Sequence, residues 1–281
     1  MYKILIDSCG ELFDYMQNND HFASIPLTLE IGEEEIIDDD TFDQASFLKK
    51  VKASPTSPKS ACPSPQTYMD AMEGADHIYV VTLSAKLSGS YNSAVLARDL
   101  YLEEYEDERP GVKIHVFDSK SASIGESLIG QRIAQLEEKV MDFEDIVSEV
   151  NQYIEEQHTY FVLETLETLR KAGRLGTMKA MIATALNIKP VMGSTPEGSI
   201  QQLGTGRGMA KTLDKMVECV INDTPNTQSK TLAISHCNCP NTANMLKNKL
   251  EAKATFKEII IIDTRGVSSM YANDGGVILV V

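Results

Sequence analysis

One stretch of the chain, His77–Arg98, constrains the possible folds more than any other. Its first part, Ile78–Leu83, is short and almost wholly apolar, which is typical of a strand buried inside a parallel sheet. The segment Ser84–Ser90 is small and polar, and helical spacing of apolar residues resumes within Tyr91–Arg98. The pattern predicts a strand that enters a helix through a tight turn, a unit typical of α/β proteins.

The predicted turn could bind an anion. A helix start leaves backbone N–H groups without partners, and the helix dipole adds positive potential there. Ser88 and Ser90 place hydroxyl groups beside these N–H groups. A simpler interpretation is that one of the two serines only caps the helix. The stretch alone leaves both interpretations open.

Strand-like and helix-like segments alternate through both halves of the 281-residue chain. This alternation predicts an α/β fold whose sheets are covered on both faces. A chain of this length can form two cores, and the texture of the sequence changes near Gln157. We therefore predict two α/β domains, residues 1–156 and 157–281.

The charge of the chain excludes two classes of partner. Forty-one acidic side chains against 26 basic ones give a formal net charge of −15, whereas nucleic acids and anionic membranes attract clustered positive charge. No apolar run approaches the ~20 residues of a membrane-spanning helix. The first residues, Met1–Leu12, read as a strand and a turn rather than a signal peptide. We expect a cytoplasmic protein.

Two segments contain metal-ligand residue types in patterns that do not favour a metal site. His236–Cys239 contains a histidine and two cysteines, but a second pair of zinc ligands is not evident. The five scattered cysteines are expected to be reduced thiols. Asp38–Asp40 lacks the glycine and the spaced oxygen ligands of a calcium loop, so we expect a solvated acidic face.

Two segments have compositions that are open to more than one interpretation: a linker, a phosphate-binding loop or the wall of a binding site. Ala53–Pro65 is rich in proline and serine, and a stretch of this length inside a globular chain is more often a functional loop than a linker. Gly204–Thr212 resembles a phosphate-binding loop, but its glycine spacing is wrong. We expect an entry into a helix there, with Arg207 exposed.

An alternative function is a small-molecule ester hydrolase with a serine nucleophile. Ser88, Asp118 and His236 supply the residue types of a catalytic triad. The G-x-S-x-G turn that usually carries such a serine is absent from the sequence. A nucleotide-binding loop is not evident either, so we predict a carrier that is not itself an enzyme and needs no cofactor.

Several stretches together resemble the DegV family of bacterial fatty-acid-binding proteins, and the resemblance extends along the whole chain. The stretches are Ile6–Leu12, Ser60–Pro65, Leu83–Ala94, Phe117–Ser123, Thr165–Leu175 and Leu186–Pro190. The resemblance implies two α/β domains with a long-chain fatty acid held between them. It also implies, for some members, presentation of that fatty acid to a separate ATP-dependent fatty acid kinase subunit, which forms an acyl-phosphate.

The resemblance assigns ligand-binding residues as well. Ser88 and Gly89 match the family's L-S-G-[ST] motif, so the Ser88 hydroxyl and nearby backbone N–H groups are expected to bind the carboxylate. Ser60 matches the hydroxyl residue of the family's [ST]-S-Q-P-S loop. Ala61-Cys62 departs from that loop, where serine and glutamine are usual.

A second departure lies near the end of the chain. Tyr271–Gly275 stands where the family often has H-T-G-P-G, so Tyr271 replaces the histidine as a candidate hydrogen-bond donor to the carboxylate. Arg207 lies near a family arginine proposed to face the partner. Met178, Met181 and Met192 suit an adaptable apolar channel in the second half, although ordinary core packing explains each of them as well.

Overall fold

A computed structural model describes residues 1–176 and 187–281. The predicted α/β fold is confirmed, with strands and helices alternating through both halves. Residues 1–156 form, in order, β1 (Tyr2–Asp7), α1 (Asp14–Gln17), β2 (Phe22–Ile25), β3 (Thr28–Ile31), β4 (Glu34–Ile37), α2 (Gln44–Ala53), β5 (Lys59–Ala61), α3 (Pro65–Met72), β6 (His77–Thr82), α4 (Ser90–Glu104), β7 (Lys113–Asp118), α5 (Ile124–Glu137) and α6 (Phe143–Glu156).

The described residues after 156 continue the alternation. They form β8 (Thr159–Val162), α7 (Glu167–Lys171), β9 (Ile188–Ser194), β10 (Ile200–Arg207), α8 (Gly208–Asp223), a 3-10 turn (Thr227–Ser229), β11 (Thr231–His236), α9 (Pro240–Glu251), β12 (Glu258–Asp263), α10 (Gly266–Ala272) and β13 (Val277–Val280). The predicted channel residues Met178 and Met181 lie outside the described residues, whereas Met192 is buried in β9.

The first sheet is parallel, with strand order β2-β1-β6-β7. Ile6 of β1 is in register with Val81 of β6, and Thr82 is in register with Asp118 at the end of β7. The carboxyl ends of these strands therefore lie at one edge of the sheet. The turns after β1, β6 and β7 meet there, which is the usual position of binding sites in open α/β sheets.

The second sheet is mixed, with strand order β10-β9-β8-β13-β11-β12. Its β11 and β12 are parallel, and the other neighbouring strands are antiparallel. A small antiparallel sheet has the strand order β4-β3-β5, in which β3 and β4 form a hairpin and Ser60 lies in the third strand.

Helix α5 lies between the two larger sheets. Ile129 and Ile133 are fully buried in a core cluster that includes Ile4 of the first sheet and Ala233 and Val280 of the second. The two halves of the chain therefore share part of one core. Helix α6 ends at Glu156 and β8 begins at Thr159. The domain boundary near residue 157 stays a prediction.

The solvated face expected at Asp38–Asp40 is wrong for Asp38, which is only 1% exposed. Its carboxylate accepts hydrogen bonds from the backbone N–H groups of Gly266 and Val267, both at 2.9 Å, and from the Ser8 hydroxyl at 3.0 Å. Asp38 thereby binds the start of α10, where free N–H groups and the helix dipole favour a negative charge. The bond pattern holds α10 against the turn after β1.

Candidate functional site

A cavity of about 360 Å³ lies between the carboxyl edge of the first sheet and the second sheet. Its volume falls within the roughly 300–1,000 Å³ typical of small-molecule sites. Both halves of the chain line it, and most of the surface of its wall is apolar. The apolar lining residues include Leu83 and Leu87 from the first half and Phe161, Leu163 and Ile278 from the second half.

All four ligand-binding residues expected from the resemblance line this cavity. Ser60 lies in β5, Tyr271 in α10, and Ser88 and Gly89 directly before α4. The Ser60 Oγ and the Tyr271 Oη lie 3.3 Å apart, at hydrogen-bond distance. The fold thus gathers three hydroxyl groups on the wall of one cavity.

Hydrogen bonds organise the β6–α4 turn, Ser84–Ser90. The Ser88 N–H donates to the Ser84 carbonyl at 3.1 Å, and the Ser88 Oγ accepts from the Ser90 N–H at 3.2 Å. The N-cap residue of α4 is Gly89, without a side-chain cap, so neither serine caps the helix from the usual position. The Ser88 hydroxyl accepts a hydrogen bond from the first N–H of the helix and keeps its own proton to donate. Gly89 is exposed at the cavity wall.

Ser90 has a different role from Ser88. Its side chain is buried, and its Oγ donates to the Asp7 carboxylate at 2.6 Å. The Tyr68 Oη lies 2.6 Å from the Ser90 Oγ. Because these partners occupy the Ser90 hydroxyl, Ser88 is the serine of this turn that is available to a ligand.

Cys62, one of the departures from the family pattern, faces the β6–α4 turn. Its side chain is exposed, and it lines the cavity. A Cβ added at Gly89 would lie 3.3 Å from the Cys62 Sγ, which is a tight contact. The thiol therefore stands directly opposite the glycine at the candidate carboxylate site.

Arg174 supplies positive charge that sequence reasoning did not assign to the site. It lines the cavity, and its Nε donates to the Leu87 carbonyl at 2.9 Å. This bond places a guanidinium next to the residue that precedes Ser88, and a cation there favours a carboxylate ligand. The Thr165–Leu175 motif contained the arginine, but its proximity to Leu87 arises only in the folded chain.

The tip of the β9–β10 hairpin closes another part of the cavity wall. The Ser84 Oγ donates to the Gly198 carbonyl at 2.8 Å, so the second half contacts the β6–α4 turn directly. Gly198 has a φ of +84°, and a Cβ there would lie 2.3 Å from the Ser84 Oγ. Only glycine fits this close approach without displacement of the neighbouring residues.

The residues of the alternative hydrolase do not form a triad. Asp118 accepts hydrogen bonds from the backbone N–H groups of Ala85 and Lys120, both at 3.0 Å. His236 pairs with Asp263 instead, with 3.2 Å between Nδ1 and Oδ1. Neither residue contacts the Ser88 hydroxyl, so Asp118 and His236 do not provide that serine with a general base.

The His236–Cys239 segment is not arranged as a metal site. The Cys237 Sγ donates to the Ser269 carbonyl and the Cys239 Sγ to the Gly276 carbonyl. Burial raises the pKa of both thiols, so they remain protonated. Burial also lowers the pKa of His236. All five cysteines of the chain are free.

Arg207 lies at the junction of α8 and β10, an edge strand of the second sheet. Its side chain is exposed, as predicted, and it is the residue that precedes the first turn of α8. The Gly204–Thr212 segment forms the end of a strand and the start of a helix rather than a phosphate-binding loop. The role of Arg207 toward a partner stays a prediction.

Within residues 1–176 and 187–281, no helix combines the length and the apolar character needed to cross a bilayer.

Comparisons with known proteins agree with this architecture. A family model described as "Uncharacterised protein, DegV family" matches residues 1–280. A DegV domain-containing protein of Streptococcus gordonii is 36% identical over 281 residues, which cover 99% of this chain and 98% of the relative.

Solved structures resemble the chain over its full length. A DegV family protein from Ruminococcus gnavus, refined with vaccenic acid, has a TM-score of 0.96 and 50% identity, covering 100% of this chain and 99% of that one. The fatty acid kinase B3 protein of Streptococcus pneumoniae, loaded with linoleic acid, has a TM-score of 0.90 and 30% identity, with 100% and 98% covered. A DegV family protein from Eubacterium eligens, loaded with heptadecanoic acid, has a TM-score of 0.89 and 28% identity, with 100% and 99% covered. The chain belongs to the DegV family.

Proposed function

We propose that this protein binds one long-chain fatty acid in the cavity between its two sheets. The carboxylate would accept hydrogen bonds from the hydroxyls of Ser60, Ser88 and Tyr271 and from the Gly89 N–H. The observation that carries the proposal is the cavity wall, whose surface is mostly apolar and whose polar groups include those three hydroxyls and the Arg174 guanidinium. The fatty acids in the R. gnavus, E. eligens and S. pneumoniae structures support the same class of ligand.

The two ends of the ligand are expected to contribute differently to the free energy of binding. Burial of a sixteen-carbon tail at ~0.8 kcal/mol per methylene contributes on the order of 10 kcal/mol before costs. Loss of motion on association takes back a large part of this free energy. Hydrogen bonds to the charged carboxylate add roughly 1.5–3 kcal/mol each. The tail thus supplies most of the affinity, and the hydroxyls supply orientation.

The site supports a carrier rather than an enzyme. Such a carrier would present the carboxylate to an ATP-dependent fatty acid kinase subunit for acyl-phosphate formation, with Arg207 as a candidate contact. The kinship with the S. pneumoniae fatty acid kinase B3 protein supports this partner. Tyr271 replaces the family's usual histidine, so the handover would proceed with a tyrosine at that position. The cytoplasmic location expected from the sequence stays a prediction.

Solvent extraction of the denatured, purified protein tests the proposal. We expect about one equivalent of long-chain fatty acid per chain, identified by mass spectrometry. The Ser88→Ala variant should retain its fold. After dialysis against a lipid acceptor, extraction of this variant should yield less fatty acid than extraction of the wild type. An empty extract, together with no uptake of added palmitic acid, would contradict the proposal. Steady turnover of a simple ester by the protein alone would favour the hydrolase.

A further inference from the structure

Beside the cavity, β1, the turn after it and α5 bring together a group of fully buried acidic side chains. Asp7, Cys9 and Glu126 are fully or almost fully buried. One carboxylate oxygen of each acid and the Cys9 Sγ lie within 4.8 Å of one another. Glu11 is also fully buried nearby, and its carboxylate accepts a hydrogen bond from Ser123. The proposed binding of the fatty acid does not use these acids directly.

Asp7 connects the group to the β6–α4 turn. Its carboxylate accepts hydrogen bonds from the Leu83 N–H at 2.9 Å, from the Ser90 hydroxyl at 2.6 Å and from the Cys9 N–H at 3.1 Å. Leu83 directly precedes the turn, and Ser90 is its last residue. Asp7 therefore holds both ends of the segment that carries Ser88 and Gly89.

Glu126 lies next to Asp7, and its side chain is 0% exposed. In the described part of the chain neither of its carboxylate oxygens accepts a hydrogen bond from an N–H or O–H group, and the Cys9 thiol beside it is only a weak donor. A buried carboxylate without a donor or a cation is very unfavourable. A neutral carboxylic acid has one O–H to donate, and the Asp7 carboxylate, with an oxygen within 4.8 Å of a Glu126 oxygen, is an acceptor beside it.

The charges around Glu126 favour its protonated form. The ionisable groups that face it are Asp7 of β1, Cys9 and Glu11 of the following turn and, behind Ser90, Tyr68 of α3. Among the described residues, no lysine, arginine or histidine forms an ion pair with any of these acids. Burial first, and then the negative charge of Asp7, raise the pKa of Glu126 well above its ordinary value.

We propose that Glu126 is a positioning residue, which keeps a proton, donates it in a hydrogen bond to the ionised Asp7 and thereby holds the β6–α4 turn in its ligand-binding geometry. Burial raises the pKa of Asp7 as well, but three donated hydrogen bonds oppose that rise, so the single proton of the pair stays on Glu126. Ionisation of Glu126 would place two negative charges side by side in a buried site. Asp7 would then be repelled from its partners, and the N–H and hydroxyl groups of the turn would lose their alignment.

This inference rests on the proposed function, because alignment of the turn matters through the carboxylate that it binds. The test measures the affinity of the delipidated full-length chain for palmitic acid from neutral to alkaline pH. Wild type, Glu126→Gln and Asp7→Asn are compared. The glutamine keeps a neutral donor at the same place, whereas the asparagine removes the charge that accepts the hydrogen bonds of the turn.

We expect Glu126→Gln to match the wild type at neutral pH. Wild-type affinity should fall at alkaline pH by up to about tenfold per pH unit, the slope for loss of one proton, and the glutamine variant should lack this fall. Asp7→Asn should bind about tenfold or more weakly throughout, since a lost hydrogen bond to a charged group is worth at least that factor. A merely structural role of Glu126 would change stability without this difference in pH profile.

Three outcomes would overturn the inference. They are identical pH profiles of the wild type and Glu126→Gln, a neutral-pH loss in Glu126→Gln as large as in Asp7→Asn, and an equivalent of divalent metal that is present in the wild type but absent from Glu126→Gln.

If the wild type binds no fatty acid at all, the proposed function fails separately. Hydrogen exchange of the Leu83 and Ser90 amides then still tests the pair. At alkaline pH these amides should exchange faster than the intrinsic pH dependence predicts in the wild type, but not in Glu126→Gln. Equal exchange in the wild type and Glu126→Gln would contradict the inference.

Discussion

The hydroxyl groups of Ser60 and Tyr271 lie 3.3 Å apart on the wall of the cavity, although 211 positions separate the two residues in the chain. Ser60 belongs to the small sheet of the first half, and Tyr271 to α10 near the end of the chain. The pair therefore joins the two halves at the place where the ligand's carboxylate is proposed to bind. Tyr271 stands in this pair where the family often has a histidine.

Removal of the Tyr271 hydroxyl should weaken fatty-acid binding. We expect Tyr271→Phe to raise the Kd for palmitic acid about tenfold, because one hydrogen bond to a charged group contributes roughly 1.5–3 kcal/mol. Ser60→Ala should act similarly, and the double variant should lose less than the product of the two effects, since both hydroxyls belong to one network. Titration of the delipidated protein measures the Kd. Tyr105→Phe, at the end of α4, is the matched control, and an equal loss in that variant would contradict the assignment.

Bound fatty acid should protect Cys62 from alkylation. The thiol is exposed, lines the cavity and faces Gly89, so a carboxylate at the β6–α4 turn would block access to it. Peptide mass spectrometry with a maleimide reagent measures the rate with and without palmitic acid. Cys219, which is partly exposed on α8, is the internal control. Equal protection of both thiols, or of neither, would speak against a ligand beside Gly89.

Asp38 should contribute to stability far more than its neighbour Asp40. Asp38→Ala leaves the N–H groups of Gly266 and Val267 without their acceptor, and we expect a loss of about 2–4 kcal/mol in the free energy of unfolding. Asp40 forms an exposed ion pair with Arg265, so Asp40→Ala should cost less than about 1 kcal/mol. Urea unfolding of both variants measures the difference. Equal effects would mean that the buried contacts of Asp38 contribute little.

The stability of the delipidated protein should fall as the pH rises from about 4.5 to about 7. Burial raises the pKa of Glu11 from 4.5 to about 7, so the folded state holds a proton that the unfolded chain releases in this window. The wild type and Glu11→Gln should be similarly stable below the window. Above it the variant should be more stable by roughly 3 kcal/mol, the equivalent of the pKa shift. Urea unfolding across this pH range measures both, and parallel pH profiles would show that Glu11 does not carry the effect.

The sequence was most informative where function depends on residues close together in the chain. The strand, turn and helix of His77–Arg98 predicted the β6–α4 turn, and the family motifs located Ser60, Ser88, Gly89 and Tyr271, all of which line the cavity. The alternation of strands and helices predicted the α/β fold. The strand–turn–helix unit and the alternation are local patterns, so residue spacing suffices to predict them. The four candidate binding residues follow from the resemblance to the family and not from spacing.

The remainder depends on contacts that only the folded chain creates. Asp38 was expected in solvent because its partners, the N–H groups of Gly266 and Val267, follow more than two hundred residues later. Arg174 gained no role from the sequence, since its place beside Leu87 results from the packing of the two halves. The proximity of Asp7 and Glu126 likewise arises from the packing of α5 on β1.

The most direct test of the central claim is a crystal structure of the delipidated protein after addition of palmitic acid. We predict one acyl chain in the cavity between the two sheets, with its carboxylate within hydrogen-bond distance of Ser60, Ser88 and Tyr271. A carboxylate that lies away from these three hydroxyls, for example among Phe161, Leu163 and Ile278 of the cavity wall, would contradict the proposed binding mode. A cavity that stays free of lipid under saturating palmitic acid would contradict the function itself.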